Sequence, residues 1–397
     1  MNRVYRLSNK IKHYEWGSPC MIPQFLNVEN NSLLPFAEMW MGTHKGAPSQ
    51  VLVNNTDAPD DLEKICGELP FLLKLIAIEK PLSIQAHPDK KQAEEGFKKE
   101  EESGLSIDAP ERNYKDSNHK PEILCAITPV KLMAGFVNPE KIRGSLEEFS
   151  SGSEAVKNII NPMINALKKN SLSLFFRALF NLSAIEKECL CSCINEKKTG
   201  NDIITDDQWK LMKEFASLYT GDPAVLSPLY LNVLTIQPRQ AVFIPAGILH
   251  AYVGGFGIEL MTSSDNVLRG GLTPKHVDIC ELMKILKFEP FAPQVISPPS
   301  SENWFCYQTP CVEFLLAYMR GQGVTVFPGN CPAVCVVTQG ELETGGFLFK
   351  KGDSFFLAEG SEPCVFKGDF SLYATSGFNN SFDKPSTGLA PDKNLTG

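Results

Sequence analysis

The sequence predicts a mainly β protein, two strand-built barrels with an all-α domain inserted into the first. Three observations point there. Short apolar runs bounded by turn residues recur up to about residue 137 and again from about 226. Between them, from Asn138 to about Thr220, the apolar residues repeat with the helical period. Finally, the stretch Arg239 to Gly247 is echoed by Gly352 to Gly360, each a turn, an apolar strand and a glycine turn. The expected division is 1–137 with 226–290 as one domain, 138–225 as the helical insert, and 291–397 as a C-terminal barrel.

The strand elements come in order. Residues 1 to about 80 read as short strands broken by polar-aromatic loops such as His13 to Ser18. Ala37 to His44 reads as a strand ending in a second polar cluster at Thr43 and His44. Phe71 to Ile78 is an apolar run expected to be buried, interrupted only by Lys74, whose default is to snorkel to the surface. If the chain stays extended through Gln85 and His87, their side chains share a face, because strand residues i and i+2 do so. Lys90 to Glu102 should be an exposed charged helix, Asp108 to His119 a polar loop, and Lys120 to Ile127 a strand.

In the insert, Val156, Ile159, Ile160, Met163, Ile164 and Leu167 mark one helix face. Pro162 either kinks that helix or starts a new one capped by Asn161. Thr205 to Gln208 fits a capping box ahead of Leu211, Met212 and Phe215, and 195–202 should be a loop. Strands are expected again at 228–236 and, as a strand and turn, at 241–247. A helix should open at Leu272 to Asp278 and run to about Phe288, and the proline-rich 290–299 reads as a linker.

Composition bounds the function. The chain has 397 residues, 43% of them apolar, and a net charge of -8. That length suits two or three domains with real cores. The acidic balance excludes a general nucleic-acid or anionic-membrane binder, which needs a basic face. No run approaches a membrane span, and Met1 to Arg6 lacks the apolar core of a signal peptide. Twelve scattered cysteines without a secretion signal read as reduced thiols in a cytoplasmic protein. The run Cys189, Cys191, Cys193 has no partner pattern for a cysteine-type zinc site.

Four residues then stand out: Gln85, His87, Glu122 and His250. Two imidazoles, one carboxylate and one amide oxygen are a suitable set for zinc or another divalent ion. Each lies on or just after an expected strand. A dication held by one carboxylate and three neutral ligands keeps a net charge near +1 and stays a strong Lewis acid. The expected role is therefore polarising a substrate oxygen. The order QxH, E, H resembles the metal site of cupin (jelly-roll) barrels.

The stretches Gln85-Ala86-His87-Pro88-Asp89-Lys90, Asn118-His119-Lys120-Pro121-Glu122 and His250 to Lys275, with the run Ser264-Asp265-Asn266-Val267-Leu268-Arg269-Gly270-Gly271-Leu272-Thr273-Pro274-Lys275, resemble the type I mannose-6-phosphate isomerase (phosphomannose isomerase) family. Glu15-Trp16-Gly17, Trp40 to His44 and Phe71 to Lys74 extend the likeness, which covers essentially the whole chain and is least specific in the last third. Leu268, Gly270 and Leu272 depart from the family pattern without touching a proposed ligand.

The resemblance implies an aldose–ketose isomerase acting on mannose 6-phosphate and fructose 6-phosphate, placed at GDP-mannose biosynthesis or mannose catabolism. It implies Zn2+, one per chain, on Gln85, His87, Glu122 and His250, with Arg269 as an active-site arginine. It also implies a cupin-like pair of barrels, the second without metal ligands.

Such a reaction moves a proton between C1 and C2 through an enediol-type intermediate, so a basic side chain must carry it. Glu259, Lys120 and Lys275 are the candidates, with zinc-bound water or Asp265 behind them. Ser83, Lys74, Lys120, Lys275 and Arg269 are the available phosphate partners, and Trp16 and Tyr252 could wall the sugar. A monomer is expected, with a small phosphosugar as its partner and neither nucleic acid nor membrane. Two other classes are open: a ferrous cupin oxygenase using His87, Glu122 and His250 as a facial triad, and a noncatalytic sugar-phosphate-binding cupin.

Overall fold

A computed structural model describes residues 3–52, 60–196, 203–327, 331–360, 363–377 and 386–387. Met1 and Asn2 of the N-terminal stretch, and 197–202 of the expected loop, lie outside the described residues. The protein is mostly sheet, and its ladders are antiparallel.

One sheet of eleven strands holds the candidate residues. Its main path runs Val295–Ile296, Ala241–Ile244, Glu122–Ala126, His250–Thr262, Phe71–Ile78, Glu38–Met41 and Lys10–Lys12. Leu231–Ile236, Val130–Phe136, Gln85–Ala86 and Leu268–Arg269 branch from it. The second sheet, also of eleven strands, gathers the strands after residue 304, but Val4–Ser8, Gln50–Leu52 and Asp60–Asp61 complete its edge. The chain thus starts in the second sheet, with Tyr5 opposite Phe356, and crosses into the first.

The two sheets share a core. Leu73, Leu75, Ile258 and Leu260 from one meet Val334, Val336, Phe356 and Tyr373 from the other. The opposite face of the first sheet packs a separate cluster that includes Ile76, Ile78, Leu124, Leu132 and Tyr252. Strand alternation sorts the residues: Lys74 lies on the face of Ile76 and Ile78, not on the shared-core face.

Helices Pro139–Ser150, Glu154–Lys168, Leu172–Phe180, Ala184–Glu196 and Asp206–Leu218 follow as a run. The expected capping box at Thr205 and Gln208 is present, and the charged helix Lys90–Glu102 has a second one, between Asp89 and Gln92. Pro162 neither breaks nor restarts its helix. Val156, Ile159 and Ile160 before it and Met163, Ile164 and Leu167 after it are all buried. Packing on both sides outweighs a proline penalty of about 3 kcal/mol. These helices share one core with Ala86, Leu249, Ala251 and Leu268.

Four expectations are corrected. The strand carrying Gln85 stops at Ala86, so His87 lies just outside the ladder, its own carbonyl accepting from the Gly247 N–H at 2.8 Å. Ser227–Tyr230 is a helical turn, started by Pro228, and the following strand begins only at Leu231. The helix expected from 272 to 288 shrinks to Ile279–Ile285, capped by Asp278. Upstream of it, Leu272 has a left-handed φ of 53° and its N–H donates to Asp222 Oδ2 at 2.6 Å, so that segment is tied to the insert instead. The 290–299 stretch is no free linker, since Val295–Ile296 pairs with Ala241–Ile244.

Candidate metal centre

Strand geometry places the donors. His250 opens the strand His250–Thr262 and sits opposite both Gln85 and Ala134. Gln85 in turn sits opposite Arg269. Directly paired residues share a sheet face, so His250, Gln85 and Arg269 line up across three strands. Their neighbours Leu249, Ala251, Ala86 and Leu268 are anchored in the helical core. That burial fixes which face the polar residues take, because a one-residue slip would reverse every side chain. Glu122 starts the strand Glu122–Ala126, opposite Ile244 and Met261.

His87, Glu122 and His250 are buried, and one donor atom from each lies within 4.8 Å of the others. His87 Nδ1 lies 2.7 Å from the Asn266 carbonyl, and His250 Nδ1 lies 2.9 Å from the Ile248 carbonyl. A carbonyl only accepts, so each Nδ1 carries the proton and each Nε2 presents a lone pair. His87 Nε2 is 3.4 Å from Glu122 Oε2. His250 Nε2 is 2.8 Å from Glu122 Oε1, a hydrogen-bond length, yet the two are not aligned as donor and acceptor and the nitrogen has no partner. Three donor atoms thus converge in a buried site, and His250 Nε2 among them has no partner, which is what a divalent cation requires.

Electrostatics agree. Burial, together with Lys120, pushes His87 down to about 4, so its imidazole is neutral at neutral pH. Burial alone would raise the Glu122 carboxyl, but the Lys120 ammonium reverses this and holds it well below the usual carboxylate range. The Lys120 ammonium stands 3.0 Å from Glu122 Oε2 and 3.3 Å from His87 Nε2, a monovalent cation drawn to the same acceptors. Tyr252, also buried, donates its hydroxyl to Glu122 Oε1 at 2.7 Å. With two imidazoles, one carboxylate and the Gln85 amide on the adjoining register position, the donor set fits zinc.

The remaining expected residues separate into groups. Arg269 is half-buried, and its guanidinium is lowered by burial. The exposed Lys275 ammonium is lowered by partial burial and by the charges of Arg269 and Lys115, with Glu15 opposing. Arg269 is thus in register with Gln85, and Lys275 lies near enough to Arg269 to feel its charge. Ser83 is half-buried two residues before Gln85, and Trp16 packs against the cluster containing Tyr252. Tyr252 faces Glu122 rather than an open wall.

Lys74 corrects the snorkelling expectation. It is buried, with its ammonium 2.9 Å from Glu259 Oε2 and 3.5 Å from Glu38 Oε1, and it lies 5.2 Å from the centre of the Trp40 ring. Glu259 is committed to that ammonium. Asp265 is exposed and 3.4 Å from His44 Nε2.

Sequence reasoning passed over Asn266, His119, Glu38 and the Asp265 partner His44. Asn266 is fully buried, and its side chain binds Lys115 N, Asp116 N and O, and Asn118 O, while its carbonyl orients His87. Its place in the Ser-Asp-Asn run was the signal.

Known proteins resemble this arrangement. A family model described as "Phosphomannose isomerase type I, catalytic domain" matches residues 4–138. A mannose-6-phosphate isomerase of Escherichia coli (strain K12) is 34% identical over 387 residues, covering 92% of this chain and 97% of that protein. One of Homo sapiens is 31% identical over 323 residues, covering 72% and 74%. A zinc-bound crystal structure of mannose 6-phosphate isomerase superposes with TM-score 0.82 at 30% identity, covering 95% of this chain and 100% of that one. So does the Salmonella typhimurium enzyme bound to fructose 6-phosphate and zinc, with TM-score 0.82, 30% identity and the same coverage.

Proposed function

This chain belongs to the type I phosphomannose isomerase family, and from that premise we propose how its own residues carry out the reversible isomerisation of D-mannose 6-phosphate and D-fructose 6-phosphate. The activity is zinc-dependent, and the single observation that carries it here is the buried convergence of His87, Glu122 and His250, with His250 Nε2 left without a partner.

His87, Glu122 and His250 hold the metal, and Gln85 contributes its amide oxygen. Zinc, when bound, supplies Lewis acidity towards a substrate oxygen. The neutral amide of Gln85 matters because a second carboxylate would cancel most of the metal's charge. Arg269, in line with Gln85 and His250, faces the negative charge that develops as the C1–C2 unit becomes an enediol. Lys275, with Ser83, binds the phosphate, since this cation is not consumed by a buried ion pair. Lys74 is set aside for that task because Glu259 and Glu38 already hold it.

A proton must leave one carbon and arrive on its neighbour. Lys120, buried against the ligands, is the side chain suited to carry it once it has given up the proton it shares with Glu122 and His87. Glu259 would first have to break its ion pair. Asn266 and Ile248 hold the imidazole tautomers that keep both Nε2 atoms available.

We assign the two sheets to cupin-like jelly-roll barrels and 138–225 to an all-α domain, with 1–137 and 226–290 as the catalytic domain. The N-terminal strand paired with Phe356 stitches the catalytic part to the 291–397 barrel. A cytoplasmic location, in GDP-mannose biosynthesis or mannose catabolism, is consistent with twelve free cysteines. Among the described residues no helix is long and apolar enough to cross a membrane.

The test is a coupled assay for fructose 6-phosphate formed from mannose 6-phosphate, before chelation, after it, and with zinc restored. Activity should vanish and return. Full activity in metal-free Glu122→Ala protein would overturn the mechanism. A ferrous oxygenase would instead consume oxygen, and the cations beside the ligands give that reading no support.

A further inference from the structure

The stretch Asn118 to Glu122 carries Lys120 and a metal ligand, and it is pinned on one side by the end of strand His250–Thr262. Thr262 Oγ1 donates to the His119 carbonyl at 2.6 Å, and the Asn266 amide donates to the Asn118 carbonyl at 2.8 Å. On the other side the contact comes from the second sheet. His119 Nε2 lies 2.7 Å from Oε1 of Glu313, a residue in the turn between strands Trp304–Tyr307 and Leu315–Gly321, 194 positions along the chain. Glu313 does not swing freely. Its other oxygen, Oε2, accepts from Cys311 Sγ at 3.0 Å and from the Val312 N–H at 3.2 Å. Both members are about four-fifths buried, with side-chain exposures of 23% for His119 and 21% for Glu313. A carboxylate fixed at three points, away from bulk water, is a stronger restraint than a surface ion pair.

We propose that Glu313 is a positioning residue for the isomerase: held by its own turn in the C-terminal barrel, it clamps the His119 imidazole and so fixes the Lys120 ammonium over His87 and Glu122. This assigns the C-terminal barrel a part in the chemistry of the first sheet, although its strands bear none of the ligands. It rests on the isomerase reading above for its kinetic consequence, but not for the contact itself. A misplacement of about 1 Å in a reacting group can cost about 100-fold in rate, and Lys120 is adjacent to the clamped residue.

The full-length zinc enzyme is assayed as Glu313→Gln and Glu313→Ala. Gln keeps an oxygen that can accept from the ring, so its kcat should stay within about threefold of the parent, whereas Ala should lower kcat about 10- to 100-fold. KM, zinc content and Tm should move little in either. In a His119→Asn background, Glu313→Ala should add no further loss, because the carboxylate acts through the ring. Unchanged kcat in Glu313→Ala overturns the proposal. So does an equal fall in kcat, zinc content and Tm in both variants, which marks a merely structural contact. The imidazole 15N resonances of His119 must also shift in Glu313→Ala. That readout needs no turnover, so a failure of the isomerase reading, seen as no parent activity, is distinguishable from a failure of the clamp.

Discussion

His250 Nε2 and Glu122 Oε1 stand 2.8 Å apart as two lone-pair donors without a hydrogen bond between them. The Tyr252 hydroxyl reaches Glu122 Oε1 and the Lys120 ammonium reaches Oε2, but His250 Nε2 has no partner. Zinc binds the folded form and should raise Tm, by about 2.7 kcal/mol of stabilisation at a hundredfold excess over Kd. Differential scanning calorimetry with and without zinc checks it. The metal-free form should also be acid-sensitive. His87 titrates at about 4 in the fold against an ordinary 6.5. As pH falls through 6.5 the unfolded chain takes a proton that the native state refuses. Stability is therefore full above 6.5 and is lost towards 4, on the order of 3 kcal/mol. His87→Gln should flatten that slope, and an unchanged slope would contradict the assignment.

Tyr252 donates to the same Oε1 from within the apolar cluster of Ile76, Leu132 and Ile248. Removing the hydroxyl frees the carboxylate to rotate but takes away no ligand. Tyr252→Phe should keep the fold and lower zinc affinity about 10- to 100-fold. Competition against a chromogenic chelator measures it. Undiminished affinity would return Tyr252 to a packing role.

Gln85 lies between His250 and Arg269 in register, so a charge placed there reaches both. Gln85→Glu should retain zinc, or bind it more tightly, while kcat falls, because a second carboxylate removes most of the residual positive charge that polarises the substrate. Metal content by atomic absorption alongside kcat separates the two effects. Faster turnover with full zinc would show that electrophilicity is not limiting.

Local features were legible in the chain; distant ones were not. The capping box at Thr205 and the helix Lys90–Glu102 rest on interactions within a few residues, and both are present. The ligands His87, Glu122 and His250 could be found because strand ends and donor chemistry leave marks in the sequence. The contact between His119 and Glu313 leaves none, since each looks like an ordinary loop residue. The crossing of Val4–Ser8 to the second sheet depends on tertiary pairing with Phe355 and Phe356 that no local pattern encodes. Lys74 misled because its partner Glu259 is 185 residues away. A lone lysine in an apolar run reads as a snorkelling residue until its counter-charge is known.

That buried lysine yields a prediction that separates stability from substrate binding. Burial alone would lower the Lys74 ammonium, but Glu259 and Glu38 reverse this and hold it above the usual lysine range. A raised pKa contributes stability that is complete below the ordinary value and lost only in strong alkali, so at neutral pH the effect is fully present. Lys74→Met removes the cation and leaves two buried carboxylates facing each other. It should cost about 3–5 kcal/mol, whereas Lys74→Met with Glu259→Gln should recover part of that loss. Urea unfolding of the single and double variants measures both. If Lys74 bound the phosphate instead, Lys74→Met would raise KM with little change in the urea midpoint, and the coupling to Glu259 would vanish.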